Sequence, residues 1–199
     1  TTMSSEFGIF GIPATEEDSK IILLPVPWEV TTSYGSGASF GPTLIRKASE
    51  QIDLFDLDTG KSYEDGYFMR EFPQELKNKN DIFKEKAQTV IALKTELSQD
   101  QKTIDSLTSE VNLACSEMTK WVRTQSESIL NKNKILGLIG GDHSTPLGAI
   151  LKKRKKYKGD FGVLHIDAHA DLRNQYQGFK ESHASIMYNV MTNELKPKK

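Results

Sequence analysis

The chain holds 199 residues, enough for one sizeable core or at most two small domains, and its 37% hydrophobic and 27% charged positions are ordinary for a globular protein. A formal net charge of −1 gives no argument for nucleic acid or an anionic membrane as partner, and Cys115, the only cysteine, excludes an internal disulfide. No run of about 18 apolar residues occurs, and the opening TTMSSEFGIFG has no basic stretch leading into an apolar one, so a cytoplasmic protein is the expectation.

Thr1 and Thr2, ahead of Met3, are set aside from fold reasoning. KIILLPVP (20–27) is a continuous apolar run ended by prolines, the pattern of a short buried strand. Gly35, Gly37 and Gly41 then make a loop, which without dinucleotide or Walker spacing is only a weak phosphate cradle. Pro42 suits the first turn of a helix running to Gln51. Residues 53–72 mix acidic, aromatic and apolar positions without a clear period and read as loop with at most one strand.

Residues 81–131 differ in kind. Phe83, Val90, Leu97, Ile104, Val111 and Met118 recur every seven positions, with Leu93, Leu107, Ala114 and Trp121 between them. This is a helical pattern, too long for one ordinary globular helix. Ser98 can break it as an N-cap before Gln101. Two helices packed on a sheet are expected, in preference to a protruding coiled coil.

KILGLIGGDHSTPLGAILKKRKKY (134–157) is a strand, a Gly-Gly turn and a new helix, with Thr145 as N-cap and Pro146 at its first position. The basic run KKRKKYK (152–158) falls at that helix's carboxyl end, where cations complement the helix dipole. DFGVLHID (160–167) is a second strand, parallel to the first if the helix is a crossover. Asp167, His169 and Asp171 then follow at every second position, so in an extended backbone they share one side, with only Ala168 and Ala170 between them. Two carboxylates and an imidazole that close are costly unless a divalent cation neutralises them.

Ligands in parallel α/β sheets bind beyond the carboxyl ends of the strands, where Asp142 and His143 would meet this cluster if the two strands are neighbours. Imidazoles and carboxylates without thiolate suit Mn, Fe, Co or Zn, and a bridged pair of ions activates a water. Each residue also has a plainer explanation. Asp142 after two glycines can serve a helix-capping turn, His165 on the strand can be a packed or supporting histidine, and His183 can begin an ordinary helix.

Taken together, GGDHS (140–144), DAHADLR (167–173) and SHASIM (182–187) resemble the ureohydrolases, that is arginase, agmatinase, guanidinobutyrase and formiminoglutamase. TTSYGSGASFGPTLIRKAS (31–49) is similar to their G-x-x-x-GP-x-x-IR segment. The resemblance implies an α/β fold of three α-β-α layers around a mostly parallel sheet. It makes residues 1–199 a single domain, the N-terminal portion of an arginase-like domain whose C-terminal half is absent, with 81–131 inserted. It implies two Mn²⁺ ions, one bound by His143 and Asp171, the other by His169, with Asp167 bridging both and a bridging hydroxide attacking the guanidinium carbon. His183 would move protons or contact substrate, and a homo-oligomer, trimer or hexamer, would form.

One departure stands out. The family's later S-x-D-x-D motif and substrate-pairing glutamate do not occur before the sequence reaches NELKPKK, so four of six metal ligands are present. A non-catalytic relative acting in assembly or regulation is therefore the runner-up, and a single-zinc deacetylase a more distant one. Arg173 stands where arginases carry an asparagine for the amino-acid end of arginine. That ranks agmatine first as the guanidino substrate and guanidinobutyrate second, whose carboxylate Arg173 could pair bidentately. Arginine and formiminoglutamate follow.

Overall fold

The computed structural model describes residues 8–192; Thr1, Thr2 and the closing NELKPKK lie outside them. The sheet has three parallel strands in the order β2-β1-β3: β1 (Ile21–Val26), β2 (Tyr67–Met69) and β3 (Ile135–Gly140). Ile21 pairs with Tyr67 on one side and with Ile135 on the other, and the β1–β3 ladder runs unbroken to Val26 opposite Gly140. The central strand is the continuous apolar run, as a strand covered on both faces requires.

Five α-helices complete the described chain: α1 (Gly41–Ala48), α2 (Gln74–Thr95), α3 (Gln101–Leu130), α4 (Leu147–Tyr157) and α5 (Ile186–Thr192). Pro42 sits in the first turn of α1, which passes into a 3-10 turn at Ser49–Gln51. The heptad segment forms two helices that pack together and onto the sheet. Val90, Ile104, Val111, Met118 and Val122 share one buried cluster with Ile22, Leu24 and Val26. Cys115 lies inside it, its thiol pushed well up by burial, which marks an inert core residue.

Four local expectations need correction. The break at 97–100 is a Schellman closure: Leu97 takes a left-handed φ of 54°, and the Ser98 amide donates to the Leu93 carbonyl at 2.9 Å. Ser98 thus ends α2, while Asp100 caps α3 by accepting from the Thr103 amide. Thr145 caps nothing; its hydroxyl donates back to the Asp142 carbonyl at 2.9 Å, and the helix begins one residue later, with Pro146 at the N-cap. Finally, residues 160–167 form no strand. They keep a strand's alternation, with Phe161, Val163 and His165 partly covered and the residues between them exposed, but no ladder bond joins them to β3. Leu164 and Ile166 are consequently 87% and 88% exposed.

The tips of β1 and β3 are knitted together beyond the sheet. The Asp142 amide donates to the Trp28 carbonyl at 2.7 Å. A Cβ on Gly141 would lie 1.9 Å from that same carbonyl oxygen, so only glycine permits the approach. The basic run at the end of α4 is drawn toward α3: Lys152 pairs with Glu127, and Lys156 donates to the Leu130 carbonyl at 2.7 Å. Among the described residues no helix is long and apolar enough to cross a membrane.

Candidate metal centre

Beyond the carboxyl end of β3 the Asp-His pair divides. Asp142 turns inward, and its Oδ1 accepts from the Ser144 amide at 2.8 Å and the Ser144 hydroxyl at 2.5 Å, the turn-forming role. Burial pushes its carboxyl above the ordinary range, partly offset by those two bonds. His143 turns outward. Its Nδ1 lies 2.6 Å from Asp171 Oδ2 and 3.0 Å from Asp167 Oδ2.

Asp171 is held in the left-handed region at φ 49°, and its carbonyl accepts from the Met187 and Tyr188 amides in the first turn of α5. A non-glycine residue in that region is a strained backbone locked by its surroundings, and here it points a carboxylate at His143.

His165 completes the group. Its Nε2 lies 3.5 Å from Asp167 Oδ2, its ring stands 5.1 Å from that of His143, and the buried Nε2 has no hydrogen-bond partner among the described residues. One donor atom from each of His143, His165, Asp167 and Asp171 falls within 4.8 Å of the others. Two imidazoles, one of them with an orphaned ring nitrogen, and two carboxylates form a donor set that fits a divalent transition ion. His165 lies on the i, i+2 alternation that leads into Asp167, and from sequence it is expected to be a packed or supporting histidine.

His169 lies on the other side of Asp167. Its side chain is 82% exposed, with Nδ1 3.7 Å from Asp167 Oδ1, and its backbone amide donates to that same oxygen at 2.8 Å. That amide bond, with the nearby His143 and His165 rings, holds the Asp167 carboxyl below its ordinary pKa. Asp167 therefore offers Oδ2 to His143 and His165, and Oδ1 to the His169 side.

A cavity of about 490 Å³ opens beside this group, with His169, Asp171, Arg173, Tyr176 and His183 among its lining. Arg173 is exposed and lies over the Tyr176 ring at 5.7 Å. Tyr176 meets the His183 ring edge-on at 5.1 Å. His183 is held by Thr31, a buried residue just past β1 that sequence reasoning did not single out. A larger cleft, about 770 Å³, lies at the amino ends of β1 and β2 among Phe10, Tyr63 and Tyr67, at the opposite end of the strands from this chemistry. The glycine loop after β1 is no anion cradle. The Glu29 carboxylate already accepts from the Gly37 amide at 2.9 Å and the Ser39 amide at 3.2 Å.

A family model described as the arginase family matches residues 19–199. An N(1)-aminopropylagmatine ureohydrolase of Thermus thermophilus is 28% identical over 92% of this chain and 51% of its own length. That of Thermococcus kodakarensis is 33% identical over 85% of this chain and 46% of its own. The chain thus spans about half the length of the curated relatives it matches. In fold it is similar to the crystal structure of agmatine ureohydrolase of Thermoplasma volcanium, with a TM-score of 0.65 and 19% identity over 98% of this chain and 52% of that one.

Proposed function

The chain belongs to the arginase family, and on that premise we propose that it serves the metal-dependent hydrolysis of a guanidino compound to urea and an amine, with agmatine first among substrates. One observation carries the reading. Asp167 divides its two oxygens between the His143–His165 side and the His169 side, the disposition a carboxylate shared by two ions needs, and its neighbours His169 and Asp171 line a cavity that also holds His183.

In this reading His143 and Asp171 would hold one ion, His169 the other, and Asp167 both, with His165 beside the first. Two bound divalent ions, Mn²⁺ foremost, would supply a water that ionises near neutral pH, which a guanidinium carbon, a poor electrophile, requires. His183 lines the cavity, and in this reading it would pass a proton to the departing amine nitrogen. Relatives whose names specify aminopropylagmatine support a substrate with an amine tail. Arg173, exposed at the cavity, favours guanidinobutyrate as a second reading through its carboxylate. A cytoplasmic location and a trimeric or hexameric assembly belong to the same proposal.

The test is urea release by the natural protein purified with Mn²⁺, offered agmatine, N(1)-aminopropylagmatine, guanidinobutyrate and arginine in turn. The amine-tailed pair is expected to be hydrolysed fastest. Chelation should abolish turnover, and Mn²⁺ should restore it better than Mg²⁺, because imidazole ligands favour a transition ion. Full activity after verified metal removal would overturn the mechanism.

A further inference from the structure

His183 touches the rest of the molecule through a second loop, and hydrogen-bond accounting at that contact bears on which ring nitrogen carries the proton. Thr31 is fully buried. Its hydroxyl oxygen accepts from the His183 backbone amide at 3.1 Å and lies 3.2 Å from His183 Nδ1. A buried hydroxyl proton needs an acceptor, and among the described residues Nδ1 is the one within reach. The hydroxyl therefore donates to Nδ1, which leaves the proton of the neutral ring on Nε2.

We propose that Thr31 is a positioning residue that fixes neutral His183 as its Nε2–H tautomer, and that α2 and α3 carry the two loops which bring the pair together.

The loop after β1 is tied to α2. Asn80 Oδ1 accepts from the Glu29 amide at 2.7 Å, Lys84 Nζ donates to the Glu29 carbonyl at 3.0 Å, and Gln88 Nε2 donates to the Thr32 carbonyl at 2.9 Å. The loop before His183 is tied mainly to α3. Asn112 donates to the Gly178 carbonyl at 3.0 Å and accepts from the Lys180 amide at 2.8 Å, while the Thr119 hydroxyl donates to Glu181 Oε2 at 2.5 Å. Between the loops, the Tyr176 hydroxyl donates to Ser33 Oγ at 2.8 Å, a second link beside Thr31–His183. The helical segment 81–131 thus gains a task that its heptad pattern did not reveal. A neutral ring locked in this tautomer presents a hydrogen-bond donor from Nε2, suited to the lone pair that develops on a substrate nitrogen as its bond to carbon breaks. That use rests on the guanidino-hydrolase reading above; the tautomer itself does not.

The deciding measurement is the ¹⁵N spectrum of the protein labelled only at histidine, recorded by magic-angle spinning above the titration range of the ring. The His183 signals are identified by their loss in His183→Gln. Wild type is expected to show an unprotonated Nδ1 and a protonated Nε2. Thr31→Ser should keep that pattern, and Thr31→Val should lose it, lowering kcat roughly tenfold with little change in KM. An Nδ1–H signature in wild type, or an unchanged pattern in Thr31→Val, would overturn the proposal. Wild type with the expected pattern but no urea release would place the fault in the functional reading and support the tautomer assignment.

Discussion

Asp167 presents its two oxygens to different neighbours, and that division decides what its removal costs. Asp167→Asn is expected to lower total metal content more than His169→Ala, since on the proposed reading the carboxylate would serve both ions and the imidazole one. His165→Ala should weaken binding of the first ion by about 10–100-fold, the range for groups that support a metal site. Metal counting by mass spectrometry on the three variants checks this. Equal loss of one ion from Asp167→Asn and His169→Ala would remove Asp167 from the shared position, and wild-type affinity in His165→Ala would make that residue mere packing. The D-x-H-x-D spacing and the Asp-His pair were legible in the sequence because a period of two and a strand end are local properties. Thr31 was not, because its significance lies in a contact with His183, 152 positions away, and a threonine at the edge of a glycine-rich stretch carries no pattern of its own.

At the scale of elements, the end of α2 is held by a residue with the wrong shape for its place. Leu97 is 81% exposed and left-handed, a conformation in which its Cβ crowds the backbone and its side chain gains no burial. Leu97→Gly is expected to stabilise the protein by about 0.5–1 kcal/mol, measured by chemical denaturation with an unchanged m-value. A destabilised variant would mean that the exposed leucine makes a contact the geometry does not show. The same residue explains why the heptad reading was only partly right: Leu97 keeps the seven-residue spacing yet sits in the connection between two helices. Both helices were readable from period alone, whereas 160–167 was not, because its composition is a strand's and only a hydrogen-bonded neighbour would make it one.

Over the whole molecule, one ion-pair group ties three distant segments. Arg70, just past β2, donates to both oxygens of Glu16 at 2.9 and 3.0 Å and to Gln125 of α3 at 2.7 Å, while Lys132 reaches Glu16 at 3.1 Å. The Arg70 hydrogen bonds, followed by Lys132, hold the Glu16 carboxyl below its ordinary pKa against a burial effect that raises it. The unfolded chain then binds the proton at a higher pH than the folded one. The stabilisation is therefore complete above the ordinary glutamate pKa of about 4.3 and fades as pH falls through the lower folded-state value. Glu16→Gln should cost about 2 kcal/mol near neutrality and progressively less in acid; parallel denaturation curves across that range test it, and a pH-independent difference would refute the pairing. A second consequence concerns the apolar residues left outside. Leu164 and Ile166 face solvent on a stretch with a strand's alternation and no neighbour in register, which invites association between copies. The protein is expected to self-associate, and Leu164→Lys with Ile166→Lys to reduce it in sedimentation velocity. Equal association of both forms would clear this stretch of responsibility.

The order β2-β1-β3 also sets a timetable for synthesis. Ile21 emerges early, yet one of its two strand partners, Ile135, is more than a hundred residues away along the chain. At ribosomal speeds of roughly 5–20 residues per second, β1 waits on the order of ten seconds before that flank can close. During that interval its run of Ile21, Ile22, Leu23 and Leu24 is a bare adhesive strip on a nascent chain. A slowed ribosome between the codons for β1 and β3 would lengthen that exposure, so the yield of folded protein should depend on translation rate across residues 27–134 more than on the stretches outside it.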